Sequence, residues 1–386
     1  MDSRPIPERI SERVYNGRSL AEMLNFSRDY GASDIKFVVG LPPYFRRGEG
    51  LVHNLGDGKG AFEPVNLETM NKFVDCLTTQ KQRDKLLSGE EDLDMSVIMP
   101  ENDGARSYRL NLAMQKGTPM IMIRVVPDKI RPLSDLGLPK TIIDYFRTLQ
   151  RGIVLVTGAT GAGKSSTLAA MVDDIRVRNS DEIITIEDPI EYVHNSDSSL
   201  IIQRELRRDT QSYSSALKSA MRQDPDVIAI GEIRDTETVR ACLESSYTGH
   251  LVLGTLHTAD AIQSVNRMID LFPESLQRDI SSQLSDTLRI VISQSLVPTI
   301  NGGRKLVAEI LRNDPFSAIS KQIRDRDPPG KILSSMQTGK RYGMVVMEDA
   351  LFDAYQANLI DKVTAFGYAI RKDEMKRKLD FGELGK

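Results

Sequence analysis

The chain of 386 residues has no tryptophan and only two cysteines, Cys76 and Cys242. The cysteines are far apart and belong to no C-x-x-C pattern, which argues against a disulfide scaffold or a zinc knuckle and is typical of a reducing compartment. Aromatic residues make up 6% of the chain and the formal net charge is −3. This composition does not favour a nucleic-acid-binding protein, which needs a basic surface with stacking aromatic rings.

Long apolar runs are also lacking. No run approaches the ~18 residues that a membrane-spanning helix needs, and the opening segment MDSRPIPERISERVY has no apolar core of a signal peptide. We therefore expect no intrinsic membrane span, and any association with a membrane is expected to be peripheral. Hydrophobic residues at 40% and charged residues at 27% are typical of a globular protein, and the length predicts two domains.

The sequence divides at a segment rich in proline. Residues 1–126 show mixed helix and strand patterns, including a capping box formed by Ser19 and Glu22 ahead of an amphipathic helix. Residues 127–139, PDKIRPLSDLGLP, contain three prolines and a glycine and are predicted to be an interdomain linker. Residues 140–386 form the predicted second domain.

Four short apolar runs dominate the second domain: GIVLVTG, EIITIED, DVIAIGE and HLVLGTLH. Each is almost continuously apolar, and helical patterns separate them. Burial on both faces is characteristic of strands in a parallel sheet. The sequence therefore predicts an α/β domain.

The segment GATGAGKSS follows the first of these strands and precedes a helical pattern. It matches G-x-x-x-x-G-K-[ST] in the strand–loop–helix context that a phosphate-binding loop requires. The glycines allow backbone N–H groups to surround phosphates, the lysine supplies charge, and the serine hydroxyl can bind Mg²⁺. The predicted nucleotide-binding residues are Gly158, Ala159, Thr160, Gly161, Ala162, Gly163, Lys164, Ser165 and Ser166.

A cluster of carboxylates follows the second strand, in IITIEDPIEY. One interpretation is a helix start, with Asp188 as the cap, Pro189 in the first turn and Glu191 completing a capping box. The other is functional, because ligands bind at the carboxyl ends of strands in open α/β sheets. A carboxylate there can hold Mg²⁺ or deprotonate the attacking water. The two interpretations are compatible.

The third and fourth strands also end in polar residues. Glu232 follows VIAIG at a Walker B position, although the usual terminal Asp is absent. His250 precedes the fourth strand and His257 follows it. No third ligand has the spacing of a metal site. The histidines are either polar residues at the sheet ends, or His257 senses the γ-phosphate.

Taken in order, the phosphate-binding loop, TIEDPIEY, SAMRQDPDVIAIGEIRDTET and TGHLVLGTLHT resemble the Walker A, Asp, Walker B and His boxes of the type II/IV secretion ATPases. These ATPases are hexameric motors of pili and secretion systems. GASDIKF…GLPPYFR resembles their N-terminal PAS-like domain. The resemblance implies an α+β PAS-like domain followed by a RecA-like P-loop NTPase domain, with ATP and Mg²⁺ as cofactors.

The resemblance also implies roles for individual residues. Lys164 and Ser165 would bind phosphate and Mg²⁺, Glu191 would be the general base, and Glu232 would support Mg²⁺ and water. Which of the two glutamates is the base stays open. His250 and His257, in the His box, would couple nucleotide state to domain position. Arg109 and Arg124 of the first domain would reach the nucleotide, with Lys116 where a third arginine is usual.

The assembly-type members carry a tetracysteine zinc motif that this chain lacks. The chain therefore resembles the branch that retracts pili and the branch that serves type IVB secretion and conjugation. Either branch implies a homo-oligomer, most simply a hexamer, at the cytoplasmic face of the inner membrane, working with membrane components of the machine. The alternative is a nucleic-acid translocase on a RecA-like core, for which RELRRD offers Arg204, Arg207 and Arg208.

Overall fold

The computed structural model describes residues 6–48, 50–53, 55–57, 60–101, 104–126 and 129–384. The chain divides into two compact units. The first comprises the described residues up to Lys129 together with Asp188–Asn195, and the second comprises Ile130–Glu187 and the described residues from Ser196 onward. Residues 127 and 128 of the predicted linker, and residues 1–5 of the opening segment, lie outside the described residues. Within the described ranges, no helix has the length and apolar character needed to cross a membrane.

The first unit is built on an antiparallel sheet flanked by helices. Its helices are α1 Ile6–Arg9, α2 Leu20–Tyr30, α3 Leu67–Leu77 and α4 Gln80–Ser88. Its strands are β1 Arg13–Tyr15, β2 Arg18–Ser19, β3 Asp34–Val38, β4 Tyr44–Arg47, β5 Gly50–Val52, β6 Gly56–Asp57, β7 Gly60–Ala61, β8 Leu93–Glu101, β9 Gly104–Gln115 and β10 Thr118–Val125. The main sheet has the order β5-β4-β3-β10-β9-β8. The α+β class predicted for this unit is confirmed.

Local sequence signals set the helix ends of this unit. The Ser19 side chain accepts from the N–H of Glu22, and the Glu22 carboxylate accepts from the N–H of Ser19, so the predicted capping box is confirmed. The core beneath the helices is aromatic. Phe37 and Phe73 meet edge to face with ring centroids 5.4 Å apart, a geometry that aromatic rings favour.

The second unit is a mixed sheet between helices. Its helices are α5 Lys140–Phe146, α6 Lys164–Arg178, α7 Tyr213–Ala220, α8 Thr236–Tyr247, α9 Ala261–Asp270, α10 Glu274–Thr287, α11 Ala318–Arg324, α12 Pro329–Thr338, α13 Met347–Gln356, α14 Lys362–Tyr368 and α15 Lys372–Leu384, with 3₁₀ turns at Leu133–Leu136 and Lys340–Tyr342. Its strands are β11 Gly152–Thr157, β12 Glu182–Glu187, β13 Leu200–Glu205, β14 Val227–Ile230, β15 Leu251–Leu256, β16 Leu288–Pro298 and β17 Arg304–Arg312.

This sheet has the order β13-β12-β14-β15-β11-β16-β17. All neighbours are parallel except β16 and β17, which form an antiparallel hairpin. The four predicted strands are β11, β12, β14 and β15, and every one of their central residues is buried, so the predicted α/β class is confirmed. Strands β13, β16 and β17 extend the sheet beyond the prediction.

Part of the predicted linker belongs to the core of the second unit. Leu133, Leu136 and Leu138 are buried and pack in the same cluster as Phe146 of α5 and Leu168 of α6. The 3₁₀ turn that contains the first two leucines ends at Gly137, whose φ of 86° is accessible to glycine at little cost. The leucines therefore hold this segment against the second unit.

The helix predicted to start at Asp188 does not form. No helix occurs between the end of β12 at Glu187 and the start of β13 at Leu200. The interpretation of Asp188, Pro189 and Glu191 as a capping box is therefore wrong, because the segment Asp188–Asn195 packs with the first unit instead of continuing as a helix.

A buried ion network links β17 to the C-terminal helices. The carboxylates of Glu309 and Glu348 are both fully buried, and Arg371 donates to each of them at 2.6 Å and 2.8 Å. Glu309 also accepts from the N–H of Ala261 at 3.0 Å and of Met347 at 3.2 Å. Burial raises the pKa of Glu309, which its bonds to Arg371 counteract. One guanidinium thus compensates two carboxylates that water does not reach.

We expect Arg371→Met to destabilise the second unit by about 3–5 kcal/mol, because it leaves two buried carboxylates without a cation. Urea unfolding of the purified protein measures the loss. Arg377→Met is the matched control, since Arg377 lies exposed on α15, the helix that begins directly after Arg371. A loss below about 1 kcal/mol for Arg371→Met, as an exposed pair gives, would show that the network contributes little.

Candidate functional site

The phosphate-binding loop joins β11 to α6. Gly158, Gly161 and Gly163 have φ values of 142°, 81° and 86°, which other residues adopt only with strain. A Cβ on Gly158 would lie 2.3 Å from the carbonyl oxygen of Gln294 on β16, so a side chain cannot be accommodated there. The glycines of the predicted motif are therefore required by the backbone path.

The N-terminus of α6 has no side-chain cap. Gly163 precedes the helix, and no side chain caps its first turn. The neighbouring helices α8 and α9 are capped in the ordinary way, because Asp235 and Asp260 accept from N–H groups of their first turns. An uncapped helix start behind a glycine-rich loop presents N–H groups and the positive end of the helix dipole to an anion.

Lys164 lies in the first position of α6 and is buried, with 9% of its surface exposed. Its ammonium group donates to the carbonyl oxygens of Gly158 at 2.7 Å and Ala159 at 3.1 Å. The loop thus wraps around the charge of its own lysine. A phosphate that enters the loop meets a cation already positioned by the backbone.

The register of the sheet brings the third and fourth strand ends to this loop. Thr157 pairs with Leu256 across β11 and β15, so His257 follows beside Gly158. Glu232 follows β14, the next strand along. These polar residues meet at one edge because the carboxyl ends of parallel strands point the same way.

A polar chain runs along this edge. Nζ of Lys164 lies 3.5 Å from Nδ1 of His257, and Nε2 of the same ring lies 3.7 Å from Oε2 of Glu232. The same carboxylate oxygen accepts from Arg234 at 2.6 Å. His257 is thus placed between the lysine of the phosphate loop and the Walker B glutamate.

The oxygen atoms at this site fit Mg²⁺ that binds together with a nucleotide. In the described part of the chain, no group of three His, Cys, Asp or Glu side chains could hold a metal ion. Mg²⁺ commonly binds through substrate phosphates, water and one or two protein oxygens. The hydroxyl of Ser165 and the carboxylate of Glu232 are oxygen donors of this kind at the loop and at the strand end.

His250 lies at the other edge of the sheet. It precedes β15, whose first residue Leu251 pairs with Gly152 at the start of β11. Its ring nitrogen Nδ1 lies 2.8 Å from the carbonyl oxygen of Ser245 and 3.0 Å from the hydroxyl of Thr248. A strand of this length separates it from the phosphate loop by about 20 Å. The structure therefore places His250 away from this loop, and its part in nucleotide binding stays a prediction.

Glu191 belongs to the segment that packs with the first unit. Its carboxylate Oε1 lies 3.6 Å from Nη1 of Arg109 on β9. The neighbouring carbonyl of Ile190 accepts a buried hydrogen bond from the hydroxyl of Ser107 at 2.7 Å. Two side chains of β9 therefore hold the backbone and the carboxylate of this segment. Ser107 belongs to no sequence motif, and its contact with Ile190 is brought about by the packing of this segment against β9.

Arg124 pairs with a different acid. It lies directly across from Arg109 in the β9–β10 ladder, and its Nε donates to Asp34 on β3 at 2.9 Å. Its side chain is 57% exposed. Lys116 is not part of this arrangement, because it forms the β9–β10 turn with Gly117 at the far end of the hairpin, with φ values of 48° and 76°.

Gln294 is a residue of the loop environment that the sequence reasoning missed. It is 1% exposed, and its side-chain amide bonds to the phosphate loop and to α6. The sequence signal is an amide side chain in the strand pattern RIVISQSLV, because a polar group that is buried there needs hydrogen-bond partners.

Comparisons with known proteins agree with this geometry. The family described as "Type II/IV secretion system protein" matches residues 92–306. The type IV pilus retraction ATPase PilT of Pseudomonas aeruginosa is 38% identical over 346 residues, which are 90% of this chain and 96% of that protein.

Solved structures show the same likeness. The crystal structure of the pilus retraction motor PilT with bound ADP has a TM-score of 0.82 and 36% identity, covering 92% of this chain and 98% of that one. The Legionella pneumophila ATPase DotB has a TM-score of 0.77 and 27% identity, covering 90% and 93%. The predicted architecture and the predicted resemblance are confirmed. The chain belongs to the type II/IV secretion system protein family and is a nucleotide-binding ATPase motor of that family.

Proposed function

We propose that this protein is an ATP-hydrolysing ring motor that powers pilus retraction or type IV secretion, including conjugative transfer, from the cytoplasmic face of the inner membrane. The observation that carries the proposal is the polar chain from Lys164 through His257 to Glu232 beside an uncapped helix start. The likeness to PilT over nearly its whole length supports retraction, and the match to the type II/IV secretion system protein family supports secretion.

ATP and Mg²⁺ are the proposed ligands. The backbone of residues 158–166 surrounds the phosphates, and Lys164 neutralises their charge. Ser165 would offer its hydroxyl to Mg²⁺, and Glu232 would hold the ion directly or through water. The metal stabilises charge on the phosphates when it is bound. His257 contacts both the lysine and the glutamate, so a change at the γ-phosphate would alter its position.

Glu191 is the proposed general base. The alternative is Glu232, but its Oε2 already accepts a hydrogen bond from Arg234 at 2.6 Å and has His257 nearby. Glu191 has a looser contact, 3.6 Å from Arg109. A cation in close contact with a carboxylate makes it a weaker proton acceptor, and the closer contact is at Glu232, which favours Glu191 as the base.

Arg109 and Arg124 are the proposed transition-state cations. They are neighbours on β9 and β10 of the first unit, and an arginine supplied to a nucleotide site stabilises the charge that develops on the transferred phosphoryl group. We propose that they serve the nucleotide of the same or the adjacent subunit in a homo-oligomer, most simply a hexamer. His250 would act at a distance from the phosphates, through the C-terminal end of α8 that it contacts.

A mixing experiment tests the ring. Wild-type protein mixed with an equal amount of Arg124→Ala should hydrolyse ATP at well below half the wild-type rate, because one inactive subunit slows its neighbours. Specific activity should also rise with protein concentration as rings form. Arg28→Ala, which removes another arginine–aspartate pair of the first unit, is the control and should mix linearly. Linear mixing with Arg124→Ala, or full activity of a monomer, would reject the coupled ring.

The division of the chain and the choice of machine are part of the proposal. We propose a first domain of residues 1–126, a linker of residues 127–139 and an ATPase domain of residues 140–386.

Peripheral attachment to the inner membrane through pilus or secretion components is proposed by analogy with the relatives. A strain that carries an inactive copy decides the machine, since it loses either pilus retraction or substrate transfer.

A further inference from the structure

Gln294 on β16 is a buried amide with two bonding partners around the phosphate loop. Its Nε2 donates to the carbonyl oxygen of Ala162 at 2.7 Å, and its Oε1 accepts from the hydroxyl of Thr167 at 2.9 Å. Both bonds are buried. One side chain thus connects the end of the loop to the first turns of α6.

The backbone of the same residue closes the start of the loop. The carbonyl oxygen of Gln294 lies where a side chain on Gly158 would have to go, 2.3 Å from an ideal Cβ. On the other side, its Nε2 lies 3.3 Å from the Cβ position of Gly163. Strand β16 therefore contacts the loop at its first glycine and at its last.

We propose that Gln294 is a positioning residue that holds the loop in its phosphate-binding form. The carbonyl of Ala162 and the N–H of Gly163 share one planar trans peptide, so they point in opposite directions. A carbonyl held toward Gln294 turns the N–H of Gly163 away from β16, to the side left for a ligand. This inference rests on the proposed nucleotide site and assigns the group that orients one of its donors.

The positioning has a specific kinetic signature. A loop that becomes ordered only when the nucleotide binds has a lower affinity, because the entropy lost on ordering the loop reduces the net free energy of binding. The effect applies to ADP, ATP and the transition state alike, since all three carry phosphates in the loop. Loss of uniform binding raises KM and leaves kcat nearly unchanged.

Neutral substitutions separate the two bonds of Gln294. Gln294→Met keeps the length of the side chain and removes both bonds without adding charge. Thr167→Val removes only the bond to Oε1 and leaves the donation to Ala162 in place. Titration of the full-length purified proteins with a fluorescent ADP analogue should show about tenfold weaker binding for Gln294→Met, because the loop carbonyl of Ala162 loses its buried donor, and a smaller change for Thr167→Val, in which that donor remains.

Gln322→Met is the matched control. Gln322 on α11 also donates from Nε2 to another helix, to the hydroxyl of Ser335 at 2.9 Å, and does not contact the loop. It should change the melting temperature and leave ADP binding as in the wild type. Steady-state ATP hydrolysis should show a raised KM and a near-normal kcat for Gln294→Met alone.

The outcomes distinguish the inference from the proposed function. ADP binding by Gln294→Met within twofold of the wild type would reduce Gln294 to a polar core residue and overturn the inference. If Gln294→Met does not fold, Gln294→Asn takes its place, because it is one methylene too short to hold both partners. Unchanged ADP binding by that variant overturns the inference equally. Failure of the wild type to bind ADP would instead overturn the proposed nucleotide site itself.

Discussion

Lys164→Ala is expected to abolish ATP hydrolysis and to weaken nucleotide binding. The lysine is the cation that the loop encloses, held by the carbonyl oxygens of Gly158 and Ala159. Phosphoryl transfer depends mostly on positioning and on stabilising charge, so loss of this cation removes a principal catalytic contribution. Phosphate release from ATP by the purified protein measures the effect, which we expect to reach the background of the assay.

Two further variants separate charge from loop structure. Lys164→Gln can still donate to the loop carbonyls but carries no charge, so it should be nearly as inactive as Lys164→Ala. Lys140→Ala removes an exposed lysine from the same unit and should have no effect. Turnover by Lys164→Ala within a few-fold of the wild type would refute the assignment of the phosphate-binding loop.

Glu191→Gln is expected to bind ATP and to lower turnover by about 10²-fold or more, as loss of a general base does. Glutamine keeps the shape of the side chain and its contact with Arg109. Because no helix begins at Asp188, a capping function cannot explain such a loss. Binding of a fluorescent ATP analogue and single-turnover hydrolysis measure the two steps separately.

Glu232→Gln is the companion variant. Its carboxylate bonds to Arg234 and lies near His257, so we expect its loss to disturb Mg²⁺-dependent binding as well as turnover. A variant of Glu232 that binds ATP tightly and stalls, together with an active Glu191→Gln, would reverse the two assignments. Normal turnover in both variants would leave the reaction without a carboxylate base at either position.

The sequence by itself determined the parts of the protein that depend on local order. Residues 158–166 are contiguous, and their glycines are required by the path of the backbone, so the loop could be identified from spacing. The four predicted parallel strands were recognisable because both of their faces are buried and their residues are almost all apolar. The capping box of Ser19 and Glu22 was equally local.

Tertiary structure decided what depends on residues far apart in the chain. The strand register places His257 beside the loop and His250 at the opposite edge, although both flank the same strand. Packing against β9, with a bond from Ser107 to Ile190, replaced the helix that DPIE suggested. Gln294 reaches a loop more than a hundred residues earlier, and no local pattern encodes such a contact. A local signal reports what a segment can adopt, whereas burial and partners from distant segments select among those conformations.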